Sequence, residues 1–149
     1  MQRFQFRLET LLKFRRIQKE QMLVKFAQAL KNLLAEQTLL TTLQSQLTEN
    51  MNILRDRQQQ SQVTLEIIKI FHNYFDKLKG DIVLQSQRVE EAEKYRKECL
   101  NNLREAIKNY KLVEKLREKR LAQYQTDALR EEQKILDEIA IQNYTKEYV

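Results

Sequence analysis

A chain of 149 residues with one Gly, no Pro, no Trp and 32% charged side chains has few places to turn. Rich in Leu, Glu, Lys, Arg and Gln, it is a composition for long helices whose apolar side chains form a line, and it argues against a compact catalytic globule. The net charge of +6 resides in residues 1–31, where eight Lys and Arg stand against Glu9 and Glu20, and the remainder is neutral. Such a basic tip suggests an acidic protein surface, nucleic acid or an anionic membrane as partner; the alternative is a merely solvated helix start.

The opening residues place Phe4, Leu8, Leu11 and Leu12 on one helical face and Phe6 nearly opposite. Either Phe6 is an exposed aromatic on a helix, or the chain is extended before about residue 7. No apolar run resembles a signal peptide, and no window approaches the roughly 20 apolar residues of a membrane span, so a cytoplasmic protein without direct membrane insertion is expected.

From Leu8 the chain steps in fours and threes through Leu12, Arg15, Lys19, Met22, Phe26, Ala29, Leu33, Glu36, Leu40, Leu43, Leu47, Asn50 and Leu54. A repeat of 3.5 residues sustained over so many heptads predicts one long helix, about 7–56, that must lie along another helix. Leu23, Ala27, Leu30 and Leu34 flank this seam and widen the apolar face, enough for a third helix or a partner protein.

Residues 55–62 are polar all round and read as an exposed tip or bend. From Val63 a broad apolar face follows, with Ile67, Ile70, Phe71, Tyr74, Phe75 and Leu78. It either folds onto the ends of the long helices or forms a knob for a partner, since aromatics dominate binding hot spots. Gly80, the sole glycine, followed by Asp81, predicts the strongest break in the chain: a helix C′ residue and then an N-cap. The bend with its short helix is therefore set at about 57–80.

A second long helix, about 82–144, carries the seam Val89, Ala92, Arg96, Cys99, Leu103, Ala106, Tyr110 and Val113. Cys99 reads as a small buried seam side chain. Beyond Val113 the stride lengthens through Arg117, Leu121, Tyr124, Ala128, Glu132, Ile135 and Ile139. Spacing by eleven relaxes a left-handed supercoil. The fold expected is all-α: one elongated domain, residues 1–149, forming a long antiparallel two-helix coiled-coil hairpin with a short helical segment near the bend. It should be monomeric; the opposing arrangement is a parallel homodimer of extended chains.

No catalytic constellation, metal cluster or cofactor site is present in the sequence. His72 has no neighbours spaced to join it as ligands, and no Gly-rich loop cradles a phosphate. The carboxylates alternate with Lys and Arg as solvated pairs, Glu93 with Lys97 among them. The basic tip, with Arg117, Lys119, Arg120 and Arg130 from the second helix, lacks the layout of a DNA-reading zipper, so nucleic acid is not the expected partner.

Two stretches carry a resemblance. The opening Phe4-x-Phe6-x-Leu8-x-x-Leu11-Leu12-x-x-Arg15 resembles the start of the flagellar export protein FliJ family. The closing Leu116-Arg117-Glu118-Lys119-Arg120, then Tyr124, Glu132-Gln133-Lys134, Asp137-Glu138 and Ala140, resembles that family's C-terminal signature. The resemblance spans essentially the whole chain. It implies a non-enzymatic, cytoplasmic component of the flagellar type III export apparatus, peripherally associated with the inner membrane. Members are antiparallel hairpins similar to the stalk of rotary ATPases, with partners in a hexameric export ATPase, the cytoplasmic ring of the membrane export gate, and export chaperones. On that reading Phe4, Phe6, Arg7, Leu11, Arg15, Lys19, Arg120, Tyr124, Gln133 and Lys134 are candidates for the ATPase contact. Phe71, Tyr74, Phe75 and Leu78 are candidates for the gate contact. The alternatives are an injectisome stalk protein or a stand-alone coiled-coil scaffold or adaptor.

Overall fold

A computed structural model describes residues 2–148. Two helices fold back on each other as an all-α hairpin: α1, Glu9–Gln59, of 51 residues, and α2, Leu65–Glu147, of 83 residues. The chain divides into two compact units, each built from both helices. Unit 1 comprises Met1–Glu20 and Arg104–Val149, and unit 2 comprises Gln21–Leu103.

In unit 2 the buried apolar side chains are Ala29, Leu33, Leu54, Phe75, Leu78, Cys99 and Leu103. On α1 the remaining seam positions, Met22, Phe26, Glu36, Leu40, Leu43, Leu47 and Asn50, are half-buried between exposed neighbours. The flanking Leu23, Leu30 and Leu34 are exposed, so the second helix covers only the seam itself. Small residues recur where the helices approach; Ala29 on α1 is 1% exposed, and Ala92 on α2 lines the same groove. One polar residue breaks the apolar line. Gln85 is 3% exposed, and its side-chain amide donates to the Glu36 backbone carbonyl at 3.0 Å and to the Glu36 carboxylate. A buried amide satisfied at only one alignment penalises every other alignment, because a slip leaves it without a partner.

The outer face of α1 is rich in Thr, a residue of modest helix propensity. The hydroxyls of Thr38, Thr41, Thr42 and Thr48 are satisfied by donating to carbonyls four residues earlier, at 2.8–3.0 Å, and the helix persists because its seam on the other face is buried. On α2 the Arg96 guanidinium bonds the Glu93 carboxylate at 2.7 Å and holds it below the usual carboxylate range. The solvated pair adds to helix stability at neutral pH, and that part is lost as acid protonates Glu93.

The chain reverses at residues 60–64, and the predicted break at Gly80 is corrected. Ser61 takes a left-handed φ of 57°. Gln62 N–H donates to the Arg57 carbonyl and Ser61 N–H to the Gln58 carbonyl. These two bonds form a Schellman ending with serine in the place usually held by glycine. Thr64 then caps α2: its hydroxyl oxygen accepts from Ile67 N–H at 3.4 Å, and Glu66 places a negative charge in the first turn. Gly80 lies inside α2 without a positive φ. The phase of the seam explains why. Phe71, Leu78, Gln85, Ala92, Cys99 and Ala106 recur every seven residues straight through Gly80. Burial of Phe75 and Leu78 before it and Gln85 after it outweighs the roughly 1 kcal/mol that glycine costs in a helix. The short segment expected near the bend is thus the opening of α2.

Unit 1 has a thinner core, Leu12 and Ala106, with Leu11, Val113, Leu116, Leu121, Tyr124 and Ala128 half-buried. The lengthened stride of the seam matches burial as far as Ala128. From Leu129 through Tyr148 every residue is exposed, Ile135, Leu136 and Ile139 included. Among the described residues no helix is long and apolar enough to cross a membrane.

Two substitutions test the reassigned turn. Ser61→Gly should raise stability by about 1 kcal/mol, because it removes the left-handed strain on a side chain. Gly80→Ala should also stabilise, by about 0.5–1 kcal/mol, since a Cβ there meets nothing within 4 Å. Thermal melts followed by circular dichroism measure both. A loss of stability in Gly80→Ala would mean the helix is not continuous at that residue.

Candidate partner-binding site

Residues 2–8 are not helical. They run as an extended strap that turns at Arg7 and Leu8 into α1, with Glu9 N–H bonded to the Phe6 carbonyl at 3.1 Å. Over residues 3–7 burial alternates: Phe4 and Phe6 are half-buried, whereas Arg3, Gln5 and Arg7 are exposed, as are Gln2 and Leu8 at the strap's ends. Period-two alternation is what an extended segment lying on a surface produces. It settles the position of Phe6, which an α-helix would have turned away from Phe4.

Side chains of α2 hold the strap. The Phe4 ring lies 5.4 Å from that of Tyr124, tilted by 49°. The Tyr124 hydroxyl donates to the Gln2 carbonyl at 2.6 Å. Arg117 places its guanidinium 5.8 Å from the Phe4 ring centre and bonds the Glu9 carboxylate through Nε at 3.2 Å. A ring pair and a cation over a ring each contribute about 0.5–1.5 kcal/mol. The exposed ion pair contributes less than about 1 kcal/mol. These attractions act against the backbone entropy lost on ordering the strap, about 1–2 kcal/mol per residue. Phe6, Arg7, Leu116 and Arg120 line the open groove beside this cluster.

Further along unit 1, Tyr110 collects two cations. Lys19 Nζ lies 4.3 Å and the Arg16 guanidinium 5.9 Å from its ring centre. The Tyr110 hydroxyl, with Glu20 and Glu9 contributing less, raises Arg16 above its ordinary value. Arg15 is half-buried, bonds Gln18 at 3.3 Å and lies over Phe14. Unit 1 holds sixteen Lys and Arg against eleven Asp and Glu, a net of +5 within the +6 of the chain.

Of the residues singled out in the sequence, the structure brings Phe4, Phe6, Arg7, Arg120 and Tyr124 to one groove. Leu11 and Arg15 stand on α1 as half-buried positions, and Lys19 is drawn to Tyr110. Gln133 and Lys134 are exposed and lie outside this cluster; Gln133 bonds Asp137 at 3.0 Å. Arg117, Glu9, Arg16 and Tyr110 were missed as site residues. Their sequence signal was faint: Arg117 is one of two charges on a mostly apolar stride, and Tyr110 passes for seam.

In unit 2 the aromatic group is centred on Phe75. Phe71 lies 5.9 Å, Tyr74 6.5 Å and His72 6.2 Å from it, ring centre to ring centre, and Arg57 approaches Phe71 from across the turn. Phe75 and Leu78 belong to the buried core, which leaves Tyr74, one side of Phe71, and Ile70 facing solvent. Cys99 is buried beneath the exposed Tyr95, whose hydroxyl is raised by its contact with the thiol. Among the described residues no group of three or more His, Cys, Asp or Glu could hold a metal ion.

The family model described as flagellar FliJ protein matches residues 4–147, nearly the whole chain. No curated relative and no solved structure matches it.

Proposed function

The chain belongs to the flagellar FliJ family, and from that premise we propose that it is the non-enzymatic stalk coupling the export ATPase hexamer to the export gate. Family membership makes it a flagellar export-associated protein. The observation that carries the finer reading is the concentration of positive charge in unit 1. There the strap, the start of α1 and the returning part of α2 gather Arg3, Arg7, Arg15 and Arg120 on one unit. Such a surface fits the acidic lining of a protein ring, where clustered opposite charge speeds encounter and fixes register. Phe4, Phe6, Leu11, Lys19, Tyr124, Gln133 and Lys134 complete the proposed ATPase-facing set. The aromatic group of unit 2 is the proposed gate-facing surface. Its contact atoms are those of Tyr74, Phe71 and Ile70, with Phe75 and Leu78 supporting them from beneath. The protein would act in the cytoplasm, attached to the membrane only through these partners, and would assist delivery by export chaperones.

Adding the protein to the export ATPase of the same cell should raise the hydrolysis rate and the fraction of hexamer. No change in either would sink the stalk and leave a scaffold or adaptor. Arg15→Glu should weaken this stimulation about tenfold with helicity retained; equal loss of helicity and stimulation would contradict a surface role. At the other surface, Tyr74→Ala should weaken binding to the gate ring without changing the melting temperature. Phe75→Ala should instead destabilise unit 2 by about 3–5 kcal/mol, as for a large side chain removed from a core. Equal destabilisation by the two would mean Tyr74 is a packing residue.

A further inference from the structure

We infer that Arg117 and Tyr124 of α2 are positioning residues: they fix the strap Gln2–Leu8 so that Arg3 and Arg7 meet the partner in a set place. The inference rests on the reading of unit 1 as the ATPase-facing surface and concerns how that surface is held.

Backbone bonding does not place the strap. Among the described residues its main chain makes one local turn, Glu9 N–H to the Phe6 carbonyl, before Leu12 N–H joins the Leu8 carbonyl within α1. The directed contacts to it, hydrogen bonds and ring contacts, come from two side chains of the other helix. Tyr124 acts at two points, packing its tilted ring against Phe4 and donating to the Gln2 carbonyl. Arg117 also acts at two points, covering the Phe4 ring and binding Glu9. Glu9 is the first residue of α1, so Arg117 ties the strap and the start of the helix to one guanidinium. The planar, forked group is what allows one side chain to stack and hydrogen-bond together, and Lys does not supply it.

The consequence falls on residues that neither group touches. With Phe4 and Phe6 half-buried and the Gln2 carbonyl bonded to Tyr124, the side chains of Arg3, Gln5 and Arg7 are left exposed. Arg3 and Arg7 are separated by about 13 Å of extended chain at roughly 3.3 Å per residue. A free strap would present the same two charges over a wide volume. A held strap presents them at a fixed spacing to carboxylates on the partner, so less freedom is lost on binding. Because these contacts are concentrated on two side chains, loss of either should loosen the strap.

The test combines backbone relaxation by NMR with ATPase stimulation. In the wild-type chain, order parameters at Phe4–Leu8 should approach the rigid value of about 0.85. Arg117→Lys, which keeps the charge, and Tyr124→Ala should drop them below about 0.6, with helicity unchanged. The protein concentration giving half-maximal stimulation should rise about fivefold. Tyr124→Phe retains the ring and loses only the bond to Gln2, so it should fall between wild type and Tyr124→Ala on both readouts. Replacing Arg3 and Arg7 together with Ala should weaken stimulation while the strap stays rigid. A strap that remains rigid in Arg117→Lys and Tyr124→Ala would overturn the positioning role. So would a released strap with unchanged stimulation. If wild-type protein does not stimulate the ATPase at all, the stalk reading fails and the presentation of Arg3 and Arg7 fails with it. The order parameters still decide, on their own, whether Arg117 and Tyr124 hold the strap.

Discussion

The helices meet along a single narrow line of side chains, and that line must keep one phase wherever they pair. With only a seam to bury, each turn contributes one or two apolar groups, and no second layer compensates for a misplaced one. Small residues at Ala29, Ala92, Cys99 and Ala106 suit a close approach of the backbones. Close approach favours pairing but is forgiving of slippage, since an alanine fits beside many neighbours. The Gln85 amide on Glu36 supplies the missing discrimination in unit 2. Its net contribution to stability is small, as buried polar contacts usually are; its effect is on which alignment is allowed.

Where local chemistry and periodicity disagreed, periodicity prevailed. The stride from Leu12 to Leu54 was legible because its mostly apolar residues recur in fours and threes, and the structure finds every one of these positions buried or half-buried. Gly80 misled because glycine followed by aspartate is a strong local stop signal. The seven-residue recurrence from Phe71 to Ala106 runs through Gly80 unshifted, and tertiary burial on both sides overrides a propensity deficit of about 1 kcal/mol. The true reversal was hidden by the opposite circumstance. Ser61 is an ordinary residue in a left-handed position, and nothing in residues 55–62 announces that conformation. Only the polarity of the segment marked it as a tip.

The site was legible in part for a similar reason. Phe4, Phe6, Arg7 and Tyr124 could be named because they fall in the two terminal stretches that carry the family resemblance. Their geometry required the strap to leave helical phase, one of two conformations the alternation of aromatic and polar residues allowed. Arg117 and Glu9 stand 108 residues apart in sequence, and no periodicity within either helix links a guanidinium on one to a carboxylate on the other. Exposed charges of that kind are too common for sequence alone to choose the pair. In unit 2 the aromatic cluster was found as a group, but sequence could not sort Tyr74, which faces solvent, from Phe75, which does not.

The last turns of α2 have a thermodynamic consequence of their own. From Leu129 through Tyr148 no side chain is sheltered, so only backbone bonds and near neighbours such as Gln133 with Asp137 sustain the helix. Nucleation is already complete in the paired part of α2, and the segment grows from it one residue at a time at nearly balanced propagation. Helicity there is therefore a gradient that declines toward Tyr148. A ligand closing on Ile135, Leu136 and Ile139 would draw that gradient outward. Its apparent affinity would then carry a heat of helix formation as well as a heat of contact, and would weaken on warming more steeply than the buried area alone implies.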